Sequence, residues 1–233
     1  MTFSSAKNDQ QQNKLKAAHR ALEFVESGMT IGLGSGTTAT LWIDLLGERV
    51  REGRLSVRGV ATSEASETLA RSYGIPLITL EECDSLDLAV DGADEIAPGL
   101  SLIKGGGGKL LREKIVASSA KRFVVIADDS KIVERLGKFP LPVEVVPMAL
   151  PLVCRSLRSL GFTPSLRKNP EGSRYITDEG NLLLDCSGLY IDDPPAMARE
   201  LDSLVGVVEH GLFLGMAEQA IVANAEDIRI VRP

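Results

Sequence analysis

The chain has 233 residues, 44% of them hydrophobic and 25% charged, a composition typical of one large globular domain or two modest ones. Its formal net charge of −6 gives no support to a general role in binding nucleic acid or an anionic membrane surface, so a bound anion would need a local positive site. We expect no membrane span, because no run reaches the ~20 apolar residues that a spanning helix needs. The polar start has no apolar signal core.

The cysteine and histidine content restricts the kinds of site that the chain can build. The three cysteines, Cys83, Cys154 and Cys186, are far apart and form no CxxC motif, which argues against a disulfide framework or a zinc site. This pattern fits a reducing compartment, so we predict a cytoplasmic protein. With only two histidines, the chain cannot build a histidine-rich metal site, and we expect no metal.

The first half of the chain predicts an α/β domain. Apolar residues at helical spacing indicate a first helix over residues 15–25, after a frayed polar tail over residues 4–12. Strands and helices then alternate, which is typical of a doubly wound, mostly parallel, Rossmann-like sheet. The predicted elements are a strand near residue 31, a helix over 37–50, a strand over 57–63, a helix over 64–75, strands over 76–80 and 86–90, a helix over 110–119 and a buried strand over 122–130.

The pattern changes at Lys138, where a proline-rich stretch begins. The order beyond it is strand, helix, strand, strand, helix, which predicts a small α+β domain of the ferredoxin-like, split-βαβ type. The last residues are expected to return to the first sheet. We therefore predict a Rossmann-like catalytic domain over residues 1–137 and 208–233, and a small domain over 138–207.

Three segments follow the carboxyl ends of predicted strands, where open α/β sheets bind ligands. The first is "GLGSGTTAT", in which small residues and a following helix N-terminus favour an anion. The same pattern also fits a tight strand–helix turn with a hydroxyl N-cap. It lacks the lysine of a Walker loop and the GxGxxG spacing of a dinucleotide site.

The other two segments carry the charges. "VDGADEI" places Asp91, Asp94 and Glu95 at the end of a buried strand, as a functional carboxylate group or as a solvated acidic turn. "IKGGGGKLLREK" places Lys104 before four glycines and Glu113 in the following helix. This segment could be a flexible loop with a charge that compensates the helix dipole. Four glycines inside an α/β unit nevertheless suggest that backbone must approach a ligand closely.

Together these segments suit proton transfer on a small phosphorylated molecule. They combine an anion loop, carboxylates, a lysine and a glycine floor at one predicted sheet edge. A carboxylate can act as the base, and a lysine can stabilise a developing oxyanion. The sequence offers no metal-ligand set, no Ser–His pairing and no redox cysteine as an alternative.

Five stretches identify a family. "GLGSGTTA", "VDGADEI", "LIKGGGGKLLREKI", "IADDSKIVERLGKFPLPVEVVPMA" and "TDEGNLLLDC" closely resemble motifs of the A-type ribose-5-phosphate isomerases, in the family's order. The resemblance runs from about residue 15 to residue 231. It implies an enzyme that interconverts D-ribose 5-phosphate and D-ribulose 5-phosphate, in the non-oxidative branch of the pentose phosphate pathway, without a metal or organic cofactor.

The resemblance also implies roles for individual residues. Glu113 matches the catalytic base, which moves a proton between C2 and C1 through an enediolate. Asp91 and Asp94 match the aspartates that bind the sugar and assist ring opening. Lys104 matches the group that stabilises the enediolate oxygens. The remaining residues match substrate-binding positions: Gly105, Gly106, Gly107, Ser35, Gly36, Thr37, Thr38, Lys131 and Lys14.

One residue departs from the family pattern, and the resemblance also implies an oligomer and leaves two alternative functions. Lys109 stands where the family often has a small residue. The resemblance implies a homodimer or a dimer of dimers, with the small domain contributing to assembly. One alternative is a non-catalytic sugar-phosphate-sensing domain, which would be expected to lack the base. Another is a CoA-transferase or deaminase-like enzyme on a related scaffold, which would need its own glutamate motif or an active-site histidine.

Overall fold

The computed structural model describes residues 3–233, with side chains from residue 9 onward. It divides the chain into two compact units. The first comprises residues up to Ala93, Arg112–Lys131 and Met216–Pro233; the second comprises Asp94–Leu111 and Ile132–Gly215. The predicted domain division, with boundaries at residues 138 and 207, stays a prediction. Within the described range, no helix is long and apolar enough to cross a membrane.

The first helix, α1, differs from its prediction. It spans Phe3–Leu22, so the segment predicted as a frayed tail is helical and the helix ends before Val25. Alanine, lysine and glutamine are good helix formers, which explains the earlier start. The Lys16 ammonium also donates hydrogen bonds to the backbone carbonyls of Asn224 (3.1 Å) and Ala225 (2.7 Å), which ties the helix to the chain's last loop.

The first unit is built on a six-stranded sheet. Its strands are β1 (Thr30–Leu33), β2 (Arg58–Ala61), β3 (Leu88–Asp91), β6 (Phe123–Asp128), β12 (Gln219–Ala223) and β13 (Ile228–Val231), in the order β13-β12-β6-β3-β1-β2. All pairs are parallel except β12 with β13. This confirms the mostly parallel sheet and the return of the last residues to it. The winding direction reverses between β1 and β3, which marks the expected ligand-binding crevice.

Helices of the first unit pack around a large apolar core. They are α1, α2 (Thr37–Arg51), α3 (Glu64–Ser72) and the part of α4 (Leu110–Ser118) that begins at Arg112. Trp42 of α2 is fully buried with the β1 and β3 side chains. The segment predicted as a strand over residues 76–80 forms only a single bridge, Gly59 with Leu77, because a short 3-10 helix begins at Leu80.

The second unit contains two antiparallel sheets. The larger one is formed by β7 (Leu141–Val145), β8 (Thr163–Leu166), β9 (Leu182–Ser187) and β10 (Val207–His210), in the order β10-β7-β9-β8. Helices α5 (Leu150–Ser159) and α6 (Pro194–Asp202) complete a β-α-β-β-α-β order, which confirms the ferredoxin-like prediction.

The smaller sheet was not predicted. It contains β4 (Glu95–Ala97), β5 (Ser101–Ile103) and β11 (Leu212–Phe213), with β5 in the middle. Two of its strands have three residues and the third has two, too short to give a recognisable alternation in the sequence. This sheet matters because the glycine run leaves from the end of β5.

Candidate active site

The loop between β1 and α2 forms a backbone cradle at the crevice of the first sheet. Gly36 caps α2 at φ +87° and ψ 177°, a conformation almost restricted to glycine. Among the described side chains, none caps this helix, so the hydroxyl N-cap considered from the sequence does not form. The first amides of a helix have no partner within the helix and carry partial positive charge, which suits an anion.

Lys14 adds a full positive charge to this loop. Its ammonium lies 3.0 Å from the Thr37 hydroxyl, although 23 residues separate the two in sequence. Helix α1 therefore brings Lys14 beside the first turn of α2. Thr38 is buried at the start of α2, whereas Gly36 and Thr37 are exposed.

Asp91 is held rigidly at the end of β3. Its Oδ1 accepts hydrogen bonds from the backbone N–H groups of Ser35 (2.9 Å) and Gly92 (2.7 Å). A Cβ on Gly34 would lie 2.4 Å from the Asp91 carboxyl, so only glycine lets the two strand ends approach this closely. The carboxylate thus lies against the loop that carries Ser35.

Glu113 lies in the first turn of α4 and is 5% exposed. It lines one small cavity together with Asp91, Thr62 and Gly34. A glutamate in a first helical turn is stabilised as the carboxylate by the helix dipole. The first unit therefore brings together two buried carboxylates, and it also contains Lys131, half-buried in a short 3-10 helix just after β6.

A cluster of hydroxyl groups beside this loop was missed from the sequence. The Ser35 hydroxyl lies 2.6 Å from that of Thr62, and the Ser66 hydroxyl donates to the Gly34 carbonyl at 2.6 Å. Thr62 and Ser66 lie just beyond β2, the strand next to β1. Their place after a strand that ends at the same edge was the signal that could have identified them.

The second unit contains the remaining predicted residues. The Gly106 N–H donates to Asp94 Oδ2 at 2.7 Å. A Cβ on Gly106 would lie 2.5 Å from Asp94 Oδ1, so this contact requires glycine. Lys104 is 2% exposed, and its ammonium lies 5.4 Å from the centre of the Phe213 ring. Asp94, Lys104 and the glycine run therefore form one group around the end of β5.

The four glycines of the run differ in their backbone conformation and in the space around them. The Gly108 N–H donates to the Gly105 carbonyl (2.9 Å), which closes a turn over the run. Gly105 and Gly108 have φ values of +98° and +79°, which other residues rarely adopt. A Cβ on Gly107 would meet no atom within 4 Å, so this residue faces open space.

Lys109, the departure from the family pattern, pairs with Asp178 across the turn before β9. Burial lowers the pKa of Lys109, but the hydrogen bond to Asp178 and the interactions with Tyr175 and the Asp178 charge outweigh burial and raise that pKa overall. The lysine is therefore a structural cation that anchors the end of the glycine run.

One group of described residues could hold a metal ion. Asp202, Glu209 and His210 bring their ligand atoms within 4.8 Å of one another in the second unit. The His210 Nε2 lies 3.1 Å from Asp202 Oδ1, and its Nδ1 accepts the Leu212 N–H. None of the predicted site residues belongs to this group.

Comparison with known proteins identifies an isomerase on an α/β fold. A sequence model of the ribose 5-phosphate isomerase A (phosphoriboisomerase A) family matches residues 58–227. Ribose-5-phosphate isomerase A of Roseiflexus sp. is 57% identical, and the match covers 91% of this chain and 92% of the relative. The chain therefore belongs to the ribose 5-phosphate isomerase A family.

Solved structures agree with this assignment. Ribose 5-phosphate isomerase A of Methanocaldococcus jannaschii superposes with a TM-score of 0.92 at 42% identity, covering 96% of this chain and 99% of that one. A D-ribose-5-phosphate isomerase in complex with phospho-erythronic acid gives a TM-score of 0.93 at 39% identity, with the same coverages. The similarity thus extends over both units.

Proposed function

We propose that this isomerase interconverts D-ribose 5-phosphate and D-ribulose 5-phosphate through an enediolate, with Glu113 as the base and without a metal or organic cofactor. The reaction belongs to the non-oxidative branch of the pentose phosphate pathway. Family membership supports the reaction, and the observation that supports the base is the buried Glu113 carboxyl group in the same unit as Asp91.

The chemistry requires one carbon-bound proton to move between C2 and C1. A carboxylate can remove the proton from one carbon and return it to the other, which is general base and then general acid catalysis. Between the two steps the proton resides on the Glu113 carboxyl group, where it can exchange with solvent. The place of Glu113 in the first turn of α4 puts the side chain near the positive end of the dipole of that helix.

The other charged residues are proposed to interact with the oxygen atoms of the substrate. Asp91 and Asp94 are proposed to bind sugar hydroxyls and to assist ring opening and proton transfer between the oxygens. Each is held by a backbone N–H at 2.7–2.9 Å, so each carboxylate is oriented before substrate arrives. Lys104 and the N–H groups of Gly105, Gly106 and Gly107 are proposed to stabilise the negative charge of the enediolate.

The phosphate is proposed to bind at the N-terminus of α2. Ser35, Gly36, Thr37 and Thr38 supply hydroxyl and N–H donors there, and Lys14 supplies charge beside Thr37. Lys131 is proposed as a further substrate-binding cation. A relative was solved in complex with phospho-erythronic acid, a phosphorylated sugar acid, which supports a sugar phosphate as the ligand class.

The rival functions receive less support. A sugar-phosphate sensor has no need of a buried base, yet Glu113, Asp91 and Lys104 are all retained. Curated relatives that match at 48–57% identity carry the name ribose-5-phosphate isomerase A, which favours the isomerase over a transferase or a deaminase.

The reaction is tested by incubating purified protein with D-ribose 5-phosphate and a chelator, and following D-ribulose 5-phosphate. Metal-independent conversion is expected. Failure to convert the sugar with or without added metal would contradict the proposed function. Conversion that the chelator abolishes would contradict only the absence of a metal.

The base is tested by Glu113→Gln, which keeps the size of the side chain and removes its basicity. We expect kcat to fall by about 10²- to 10⁴-fold, while phospho-erythronic acid still binds. Glu200→Gln, on the exposed face of α6, is the matched control and should behave like the unaltered protein. Wild-type turnover in Glu113→Gln would rule out this base.

We also propose that the second unit mediates assembly into a homodimer or a dimer of dimers in the cytoplasm. Val146, Met148, Leu152 and Val205 are exposed apolar side chains of this unit, and Met148 and Val205 are 92% and 79% exposed. The Val146 N–H donates to the Gly206 carbonyl (3.0 Å), so the segments that carry Val146 and Val205 are neighbours, and a contiguous exposed apolar patch is typical of an interaction surface. Met148→Glu should shift the sedimentation coefficient towards that of a monomer; an unchanged value would contradict this surface.

A further inference from the structure

Arg167 connects the larger sheet of the second unit to the glycine run of the same unit. It directly follows β8, and its Nη1 donates hydrogen bonds to the backbone carbonyls of Gly105 (3.1 Å) and Gly106 (3.0 Å). More than 60 residues separate the partners in sequence. The side chain is only 14% exposed, so these bonds form in a partly dehydrated environment.

Asp185 fixes the other edge of the same guanidinium. Its Oδ2 accepts from Arg167 Nε at 2.9 Å, and its Oδ1 accepts from Nη2. This fork-to-fork pairing holds the guanidinium plane in one orientation. The backbone of Arg167 is fixed as well, because its N–H bonds the Leu183 carbonyl (2.8 Å) and its carbonyl accepts the Tyr175 N–H (3.1 Å).

The contact acts on the peptide groups that the proposed chemistry uses. The Gly105 carbonyl and the Gly106 N–H belong to one peptide group, and the Gly106 carbonyl and the Gly107 N–H belong to the next. A cation at the two carbonyls polarises both groups, which strengthens the hydrogen bonds that their N–H groups donate. One of these N–H groups already donates to Asp94 Oδ2 at 2.7 Å.

The glycine run has no side chains with which to hold itself. Its turn is closed by one backbone bond, Gly108 to Gly105, and the Tyr175 hydroxyl lies 3.5 Å from the carbonyls of Gly107 and Gly108. Arg167 supplies the charged donor at the two central peptide groups. Without it, the planes of these peptides could rotate, because glycine tolerates many backbone conformations.

We propose that Arg167, held by Asp185, is a positioning residue of the isomerase: it orients and polarises the Gly105–Gly106 and Gly106–Gly107 peptide groups for Asp94 and the enediolate. The inference rests on the proposed function, since it needs the glycine run to face the enediolate. Arg167 acts through the peptides and does not contact the substrate.

The test replaces Arg167 with methionine and with lysine. We expect kcat of Arg167→Met to fall by about 10- to 10²-fold, because small misplacements of catalytic groups cost that much. Its affinity for phospho-erythronic acid should fall, whereas its affinity for inorganic phosphate, bound by the Ser35–Thr38 loop, should not. Arg167→Lys should recover part of the loss, since an ammonium keeps the charge but cannot make the fork.

Two further variants provide a control and a second test. Arg174→Met removes an exposed arginine from the same hairpin and should leave the kinetics unchanged. Asp185→Asn preserves shape and should reduce kcat several-fold in a folded protein, so it tests the pair if Arg167→Met does not fold. Wild-type kcat in a folded Arg167→Met, or in Asp185→Asn if the former is unfolded, would overturn the inference. Inactivity of the unaltered protein would instead overturn the proposed function.

Discussion

Two glycine-rich loops of this molecule acquire their shape in different ways. The loop over residues 34–36 lies between a buried parallel strand and the 15-residue helix α2, so regular structure fixes it on both sides. The Gly105–Gly108 run follows a three-residue strand and is held by Arg167, Tyr175 and the Lys109–Asp178 pair, which come from a distant segment. Strand and helix geometry thus fixes the loop proposed to bind the phosphate, whereas the loop proposed to stabilise the enediolate needs support from distant residues.

Among variants of the two loops, the largest effect is expected for Gly106→Ala in the second loop. The new Cβ would lie 2.5 Å from Asp94 Oδ1, so Asp94 must move and the 2.7 Å bond to the Gly106 N–H is lost. We expect kcat to fall by about 10²-fold, while inorganic phosphate binds as before. Steady-state kinetics and calorimetry measure the two quantities. A folded variant with wild-type kcat would show that the run needs no close approach.

A smaller effect is expected for Lys14→Met, which tests the first loop. Loss of the ammonium beside Thr37 should raise KM about tenfold, the equivalent of about 1.4 kcal/mol, and change kcat little. Lys16→Met is the matched control, because Lys16 is on the same helix but binds the carbonyls of Asn224 and Ala225. Equal KM values for the two variants would remove Lys14 from the phosphate site.

Gly36→Ala should affect stability more than turnover. Its φ of +87° and ψ of 177° cost a residue with a Cβ about 1–3 kcal/mol. A Cβ there would meet no atom within 4 Å, so the loop can keep its course and KM should rise only several-fold. Urea unfolding and kinetics distinguish this result from that of Gly106→Ala. If Gly36→Ala lowered kcat as much as Gly106→Ala does, the proposed difference between the two loops would be wrong.

The smallest expected effect concerns the scaffold behind the second loop. Burial raises the pKa of Glu144 on β7, and hydrogen bonds from Asn181 and Thr177 offset part of this rise. Because the folded state holds the proton more tightly, this contribution to stability is complete below the unfolded pKa and is lost as the pH rises through the folded value.

Glu144→Gln should remove this pH dependence. Relative to the unaltered protein, the variant should gain about 1.4 kcal/mol for each unit by which the folded pKa exceeds the unfolded one, and show no gain near pH 4. Thermal unfolding from about pH 4 to pH 8 measures the difference, and turnover should not change. A gain that is largest at pH 4 would reverse the assigned direction of the pKa.

The two loops also explain what the sequence could predict. The parallel sheet follows from continuous apolar strands such as Phe123–Asp128, and the first loop follows from a strand, glycines and a helix in succession. The ferredoxin-like order was readable from prolines and short alternating segments. These features depend on neighbours in sequence, and the structure confirms them.

Other features depend on distant partners and were missed. The hydroxyl groups of Thr62 and Ser66 reach the first loop only because β2 lies beside β1. Strands β4 and β5 are too short to show a period, and the mostly apolar segment over residues 76–80 leads into a 3-10 helix after a single bridge instead of forming a strand. Arg167 gave no local signal, since its partners lie more than 60 residues away.

The central claim is that Glu113 carries the proton between C2 and C1. It is tested most directly by incubating D-ribose 5-phosphate in deuterium oxide with the unaltered protein and with Glu113→Gln, and following deuterium at C2 of ribose 5-phosphate and C1 of ribulose 5-phosphate by NMR. The account predicts incorporation with the unaltered protein and almost none with Glu113→Gln, although the variant still binds phospho-erythronic acid. Incorporation at the same rate by both proteins would contradict it.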